Sequence, residues 1–247
     1  LARPDGGVVN AKELASKAFW AVKEREPRAR RLVNAARREA LIARLRTQAA
    51  WQRSSVDVDI DPTAVIGPDI AVTIDPGTTS ALHLGPGTAL AGQSRIHLRG
   101  GHISIDERTS IRQHTVLNVS GALEIGPDCI LSYGTVVHCA ERITLGQIVG
   151  IAEYVTLVDS THFLTDIDTR HYDNVRTKPL AIGRNTWLCP KSTVTMGVTI
   201  GDYCVVGSGV TVTQDVPDGH SVGQGQTLER RRRLPWEAAV SAVQVPA

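Results

Sequence analysis

Five consecutive six-residue blocks decide how this chain folds: IGRNTW (182–187), LCPKST (188–193), VTMGVT (194–199), IGDYCV (200–205) and VGSGVT (206–211), with Val212 opening a sixth. Each block begins on an aliphatic residue. Four positions later stands a small or β-branched one: Thr186, Ser192, Val198, Cys204, Val210 and Val216. The same two rules run upstream. The aliphatic series is Ile60, Ile66, Val72; Leu84, Leu90, Ile96; Ile105, Ile111, Leu117; Ile125, Leu131, Val137; and Leu145, Ile151, Leu157. The small series includes Ala64, Thr88, Ser94, Thr109, Thr115, Cys129, Thr135, Val149, Val155 and Thr161; Ile70 and Glu141 depart from it. Glycine often follows the aliphatic, as at Gly67, Gly85, Gly126, Gly146, Gly183, Gly201 and Gly207.

Two linked rules at a fixed period are the signature of a β-solenoid. Each hexad supplies a short strand and a corner, and three hexads close one triangular coil of roughly 18 residues. The aliphatic side chain points inward and the small residue fits beside the corner. Glycine is expected where a tight bend needs unusual torsions. Coils stack in parallel, roughly 4.8 Å apart. Such a prism has no room for rings, which accounts for an aromatic content of 4% against 42% hydrophobic residues overall. The four Trp, four Tyr and two Phe all fall outside the inward series.

Spacing adds detail. Ile182 to Ile200 is a clean 18, but Leu84 to Ile105 is 21, and the next two steps are 20. The extra residues are placed at one corner, near Gly100-Gly101, Ser120-Gly121 and Glu141-Arg142. Leu145 to Ile182 is 37, so one corner is expected to eject a loop over 163–181. Excursions of this length in a compact fold are usually functional.

The ends differ from the middle. Residues 1–53 hold 13 Lys+Arg against 5 Asp+Glu, within a chain whose net charge is only +2. Leu14, Ala18, Ala21 and Val22 share a helical face, Pro27 interrupts it, and Leu32, Val33, Ala36, Ala40, Leu41, Leu45 and Ala49 resume a helical pattern. The domain reading is therefore a basic helical arm over 1–55, a β-solenoid over 56–222 and a tail over 223–247. The arm either docks on the acidic body or presents charge to an anionic partner. No apolar run reaches the ~18 residues of a membrane span. The four cysteines, Cys129, Cys139, Cys189 and Cys204, have neither CxxC spacing nor a disulfide pattern. The expectation is a cytoplasmic protein, peripheral at most to the inner membrane face, with no nucleic-acid partner. Cys129 and Cys204 are read as packing residues, Cys139 and Cys189 as corner or outer-face residues.

The hexads resemble the hexapeptide-repeat acyltransferases. The resemblance covers about 60–217 and is strongest over 145–217. There Leu157-Val-Asp-Ser-Thr-His162, Lys178 to Trp187, and Gly197 through Val206-Gly-Ser-Gly209 to Asp215-Val-Pro217 resemble the maltose, galactoside and polysaccharide O-acetyltransferase branch. The resemblance implies a left-handed parallel β-helix; periodicity does not give the hand, and parallel crossovers are normally right-handed. It implies acetyl-CoA or another acyl-CoA as co-substrate, a sugar, glycolipid or polysaccharide precursor as acceptor, and a homotrimer with its sites between prisms. It places His162 as the general base that takes the proton of an attacking hydroxyl, work suited to an imidazole at neutral pH. Asp159, three residues earlier, either orients that ring, binds acceptor or is an ordinary corner aspartate. Trp187, Ser208 and Thr213 match positions along the CoA path, and Arg230 is placed to meet CoA phosphates. Two departures stand out: Gln214 replaces a common lysine, and Gly223-Gln-Gly-Gln-Thr227 replaces the usual turn.

Two other readings compete on the same scaffold. A γ-carbonic-anhydrase-like enzyme would need three converging histidines; His97 and His102 are five apart, but no third has the spacing and His83 is too close. A non-catalytic scaffold would use the repeat alone.

Overall fold

The computed structural model describes residues 28–163, 174–226 and 228–230. Among the described residues, the helix Arg28–Trp51 precedes a parallel β-solenoid. Three sheets form the faces of the prism. The first runs from Ser55–Ile60 to Thr199–Ile200 and the third from Ala71–Ile74 to Thr211–Val212, each with seven strands. The second has nine and runs from Val65–Ile66 to His220–Val222, closing on the antiparallel strand Leu228–Arg230. Every aliphatic of the hexad series is buried. So are all described members of the small series except Thr161, which is exposed because the chain has already left the prism there.

The longer coils are built differently from expectation. Their extra residues extend strands rather than bulge from a corner. Arg95–Leu98, Val116–Val119 and Val136–Cys139 of the third sheet, and His102–Ile105, Ala122–Ile125 and Arg142–Leu145 of the first, have four residues each. Each strand thus gains a second inward side chain, such as Leu98, Ile103, Val119, Leu123 and Ile143. Cys139 belongs to this layer and is buried, not at an outer face. Burial pushes its thiol up to about 12, and the nearby Asp159 charge adds to the effect. Glu141 stays exposed at its corner.

Glycine also has a different duty. At most corners that lead into the second and third sheets a left-handed torsion falls three residues after the aliphatic, as at Asp69, Gln93, His114, Asp128, Tyr154 and Lys191, and at Gly87, Gly134 and Gly209. The glycine directly after the aliphatic is needed for close approach. A Cβ on Gly126 would stand 2.9 Å from the Gly146 carbonyl carbon, and one on Gly146 2.8 Å from Arg184 N. Adjacent coils could not stack there with a side chain between them.

The helix closes one end of the prism. Alanine, leucine and arginine favour it, and it ends at Arg53, whose φ is 55°, with Ser54 N–H reaching Ala49 C=O at 2.8 Å. Leu41, Leu45 and Ala49 pack on the first coil. A first coil has no preceding strand to pair its backbone, so those groups need other partners. Asn34 supplies two: its Nδ2 donates to Ala64 O and its Oδ1 accepts from Ile66 N, both at 2.7 Å. Arg38 donates to Pro62 O at 2.8 Å and Arg44 to Ile70 O at 2.7 Å. Part of the arm's positive charge is therefore committed to capping carbonyls. The helical pattern of 14–22 lies outside the described residues, and no helix among the described residues is long and apolar enough to cross a membrane.

Candidate active site

The third-sheet strand Thr156–Val158 leads to Asp159, where the chain leaves the prism. Asp159 is fully buried, and its carboxylate is consumed by backbone. Oδ1 accepts from Ala140 N at 2.7 Å, and Oδ2 accepts from Glu141 N and Arg142 N at 2.9 Å each. Its own C=O accepts from Lys178 N at 3.0 Å and its N–H donates to His138 O at 3.3 Å. One side chain thus bolts the exit point to the corner of the preceding coil. A carboxylate with three N–H donors has little capacity left for a ring or a substrate.

From this anchor Ser160–His162 runs out as a strand, paired antiparallel with Val175–Thr177, with His162 opposite Val175. The excursion therefore begins at 160 as a two-stranded ribbon, and the returning chain is strand again at Leu180–Ile182, with Leu180 fully buried. The excursion expected over 163–181 therefore starts earlier, at 160, and ends earlier, before Leu180. Phe163 lies 4.6 Å from the Arg176 guanidinium, which steadies the ribbon. Residues 164–173, including Asp166, Asp168, Arg170, His171 and Tyr172, lie outside the described residues. His162 is exposed at the end of its strand.

Trp187 is 55% exposed on the outer face of the second sheet, opposite Gly150 of the preceding coil. A Cβ at Gly150 would stand 3.3 Å from the indole Cε3, so the missing side chain lets the ring lie on its neighbour. Gly150 escapes the hexad rules, because an outward glycine breaks none of them. Next to Trp187, Cys189 is half-buried. Burial raises its thiol pKa, while hydrogen bonds with the Trp187 and Ser208 side chains act to lower it. Trp187, Cys189 and Ser208 therefore gather at one corner, joined by Gln224, whose Nε2 donates to Ser208 O at 3.2 Å. Sequence places Cys189 at a corner or an outer face; its proximity to Trp187 and Ser208 is seen only in the structure. Thr213 is exposed just past the last strand of the third sheet, and Arg230 ends the strand Leu228–Arg230, opposite His220.

The topology separates these groups. The Trp187–Ser208 cluster occupies the corner between the second and third sheets; His162 leaves from the corner between the third and first. Within one chain the outer face of the third sheet lies between them. Two shallow grooves lie elsewhere. One is on the first sheet, floored by Ile125, Thr144 and Leu145 with Asp106 and Glu124 at its side. The other is on the third sheet over the first three coils.

The histidines of the metal reading do not converge. His97 is on the third sheet, hydrogen-bonded to Asp75 at 2.7 Å, while His102 is on the first, with its ring centroid 5.0 Å from that of His83. Among the described residues no group of three or more His, Cys, Asp or Glu is placed to hold a metal ion.

Comparison with known proteins agrees with this architecture. The family described as bacterial transferase hexapeptide (six repeats) matches residues 181–214. The chain is a parallel β-solenoid whose residues 181–214 carry that hexapeptide repeat. Within that class its similarity is to acetyltransferases. It is 31% identical over 144 residues to a probable acetyltransferase of Mycobacterium tuberculosis, covering 58% of this chain and 46% of the relative. It is 28% identical over 127 residues to the galactoside O-acetyltransferase of Escherichia coli, covering 46% of this chain and 62% of the relative. The chain spans about half the length of the curated relatives it matches. Among solved structures, a polySia-specific acetyltransferase aligns with a TM-score of 0.49 at 22% identity, over 74% of this chain and 83% of that one.

Proposed function

We propose that the chain is an acyl-CoA-dependent O-acyltransferase, most simply an acetyltransferase, acting on a hydroxyl of a sugar, glycolipid or polysaccharide precursor. The observation that carries this reading is the mount of His162: an exposed imidazole on a paired strand, three residues from a buried aspartate that fixes where the strand leaves the prism. Similarity to acetyltransferases, galactoside O-acetyltransferase among them, supports the reaction class.

In this mechanism His162 accepts the proton of the acceptor hydroxyl as its oxygen attacks the thioester carbonyl of acetyl-CoA. The tetrahedral intermediate collapses with cleavage of the carbon–sulfur bond, and the imidazolium returns the proton to the departing CoA thiolate. The acetyl group ends as an ester, no covalent enzyme intermediate forms, and no metal is used. Asp159 acts as a positioning residue. Trp187, Ser208 and Thr213, with Arg230, form the CoA path. Because His162 and Trp187 lie at opposite ends of the third sheet in one chain, a complete site brings the Trp187 corner of one copy to the His162 ribbon of another. That arrangement supports a homotrimer. A cytoplasmic location, with any membrane contact made through the basic arm over 1–55, fits a lipid-linked acceptor.

The test is thiol release from acetyl-CoA with a panel of sugar acceptors, comparing wild type with His162→Ala. Loss of two to four orders of magnitude in kcat with the productive acceptor is expected. Full activity of His162→Ala would remove His162 as the base. Transfer to amino sugars but to no hydroxyl acceptor would replace O- by N-acylation.

A further inference from the structure

The helix that closes the prism has a second face, which neither the solenoid nor the proposed reaction uses. Arg28–Trp51 lies across the end of the prism and touches the first strand of all three sheets, so its axis is transverse to the solenoid axis. Asn34, Arg38, Leu41 and Leu45 meet the first coil. On the opposite side Leu32, Ala36, Ala40 and Ala43 follow at helical spacing, with Val33 and Trp51 along one edge, and all six are exposed. Leu32 is 64% exposed, Val33 49% and Trp51 85%, a patch rather than a scattered residue. At 3.6 residues per turn, Arg37 and Arg46 fall on the two sides of this uncharged strip. Both are exposed, and neither is in an ion pair among the described residues. The helix has seven arginines and one carboxylate, Glu39, which Arg38 holds at 3.2 Å. Beyond it the balance reverses: residues 54–227 hold 10 Lys+Arg against 18 Asp+Glu.

These charges decide what covers the strip. Two copies meeting at this face would set arginine borders against arginine borders, with no free carboxylate on either helix to answer them. An anionic surface answers both borders. It also repels the acidic solenoid, so the molecule approaches it with this end first. An uncharged strip that carries a tryptophan and is bordered by arginines is the pattern of a helix lying in the plane of a lipid surface.

We propose that the outward face of Arg28–Trp51 is a foot that lies on an anionic lipid surface and stands the prism upright on it. Leu32, Val33 and Trp51 enter the headgroup layer, and Arg37 and Arg46 meet lipid phosphates at its edges. The foot sets a height for the reaction. Third-sheet strands from Ala71–Ile74 to Thr156–Val158 number five, so the His162 ribbon leaves the prism four coil steps up, roughly 19 Å at ~4.8 Å per step. With a helix about 10 Å thick beneath, a hydroxyl must rise roughly 30 Å above the lipid to be acylated. The acceptor is then a lipid-linked chain of many sugars, modified far from its lipid, and not a glycolipid of one or two rings. That height rests on the O-acyltransferase reading; the foot itself does not.

The test is co-sedimentation of the full-length protein with vesicles of phosphatidylcholine alone and of phosphatidylcholine mixed with phosphatidylglycerol, without acetyl-CoA, so that it does not depend on turnover. Binding is expected to the anionic vesicles only, and to weaken as salt rises. Arg37→Gln with Arg46→Gln should lose roughly twentyfold in partitioning, and Trp51→Ser about fivefold. Thermal unfolding should match wild type in each, since all three side chains are exposed. Full vesicle binding by both variants overturns the foot, because another part of the chain would then carry the contact. Equal binding to neutral and anionic vesicles overturns it too, as does tighter binding of single-stranded RNA than of vesicles. A shift of Trp51→Ser to smaller assemblies without lipid also sinks it, since the face would then be a contact between copies. Vesicle binding through these residues without thiol release from acetyl-CoA would uphold the foot and sink the acyltransferase reading. Thiol release by a protein that ignores anionic vesicles would do the reverse.

Discussion

The carboxylate of Asp159 receives the backbone N–H of Ala140, one coil away, at 2.7 Å. With Glu141 N–H and Arg142 N–H also on it, this one buried side chain holds a whole corner. The exposed His162, three residues on, inherits its position from that anchor. A chain that must leave a close-packed prism needs something other than inward packing to define where it leaves, and a charge-assisted cluster does this.

Asp159→Asn should therefore act first on stability. The amide keeps one acceptor but turns its NH2 toward backbone donors, leaving N–H groups buried and unpaired. A loss of about 2–3 kcal/mol is expected in urea unfolding. His162→Ala should change stability by no more than about 0.5 kcal/mol, since the ring is exposed. If Asp159→Asn unfolds like wild type yet turns over orders of magnitude more slowly, Asp159 is a reacting group and the anchor account is wrong.

Asn34 offers a second test, at the other end of the prism. Its amide pairs with both Ala64 O and Ile66 N, the edge of the first coil. Asn34→Ala leaves both unpaired beneath the helix and should cost about 1–3 kcal/mol. Hydrogen exchange should quicken at Ile66 and its neighbours and stay unchanged near Leu157. Uniform acceleration along the solenoid would mean that the helix does not cap the first coil selectively.

The prism was legible because its rules are local: Ile182, Leu188 and Val194 announce a coil from spacing alone, and each is buried as expected. What spacing could not reveal depends on contacts between coils. A twenty-residue step does not say whether extra residues bulge outward or lengthen a strand, so spacing leaves Cys139 at a corner or an outer face, whereas it lies buried at the end of a lengthened strand. Gly126 reads as a bend residue until the Gly146 backbone is seen against it. Sequence alone leaves Asp159 open between a ring-orienting, an acceptor-binding and a corner aspartate, because its three donors lie 17 to 19 residues back. His162 and Trp187 were named separately by resemblance; that one chain keeps them at opposite ends of a sheet is a fact of topology.

Stability at high pH should report the buried thiols. Burial raises Cys129 from the ordinary 9.0 to about 11. The folded state then holds the proton more tightly than the unfolded state. The contribution is complete below pH 9 and is lost as pH rises from 9 to about 11. Over that window wild type should lose stability faster than Cys129→Ala, by up to about 1.4 kcal/mol per pH unit. Parallel curves through pH 10.5 would show that Cys129 ionises normally in the fold.

Cys189 gives a chemical readout of the proposed CoA path. None of the four cysteines is in a disulfide; Cys129, Cys139 and Cys204 are buried, and Cys189 alone is half-exposed. A thiol-disulfide reagent applied to native protein should modify one thiol rapidly and leave three untouched until unfolding. Partial burial holds the Cys189 pKa above its ordinary value, so the rate should climb as pH rises from 7 to 9. The sulfur lies beside the Trp187 and Ser208 side chains, so CoA bound along them would cover it. Saturating CoA should slow labelling of Cys189 at least tenfold, and Cys189→Ala should abolish the fast phase without altering the slow one. If CoA binds at the same affinity whether or not Cys189 carries the bulky label, the path runs elsewhere, and Trp187 and Ser208 lose their assignment together.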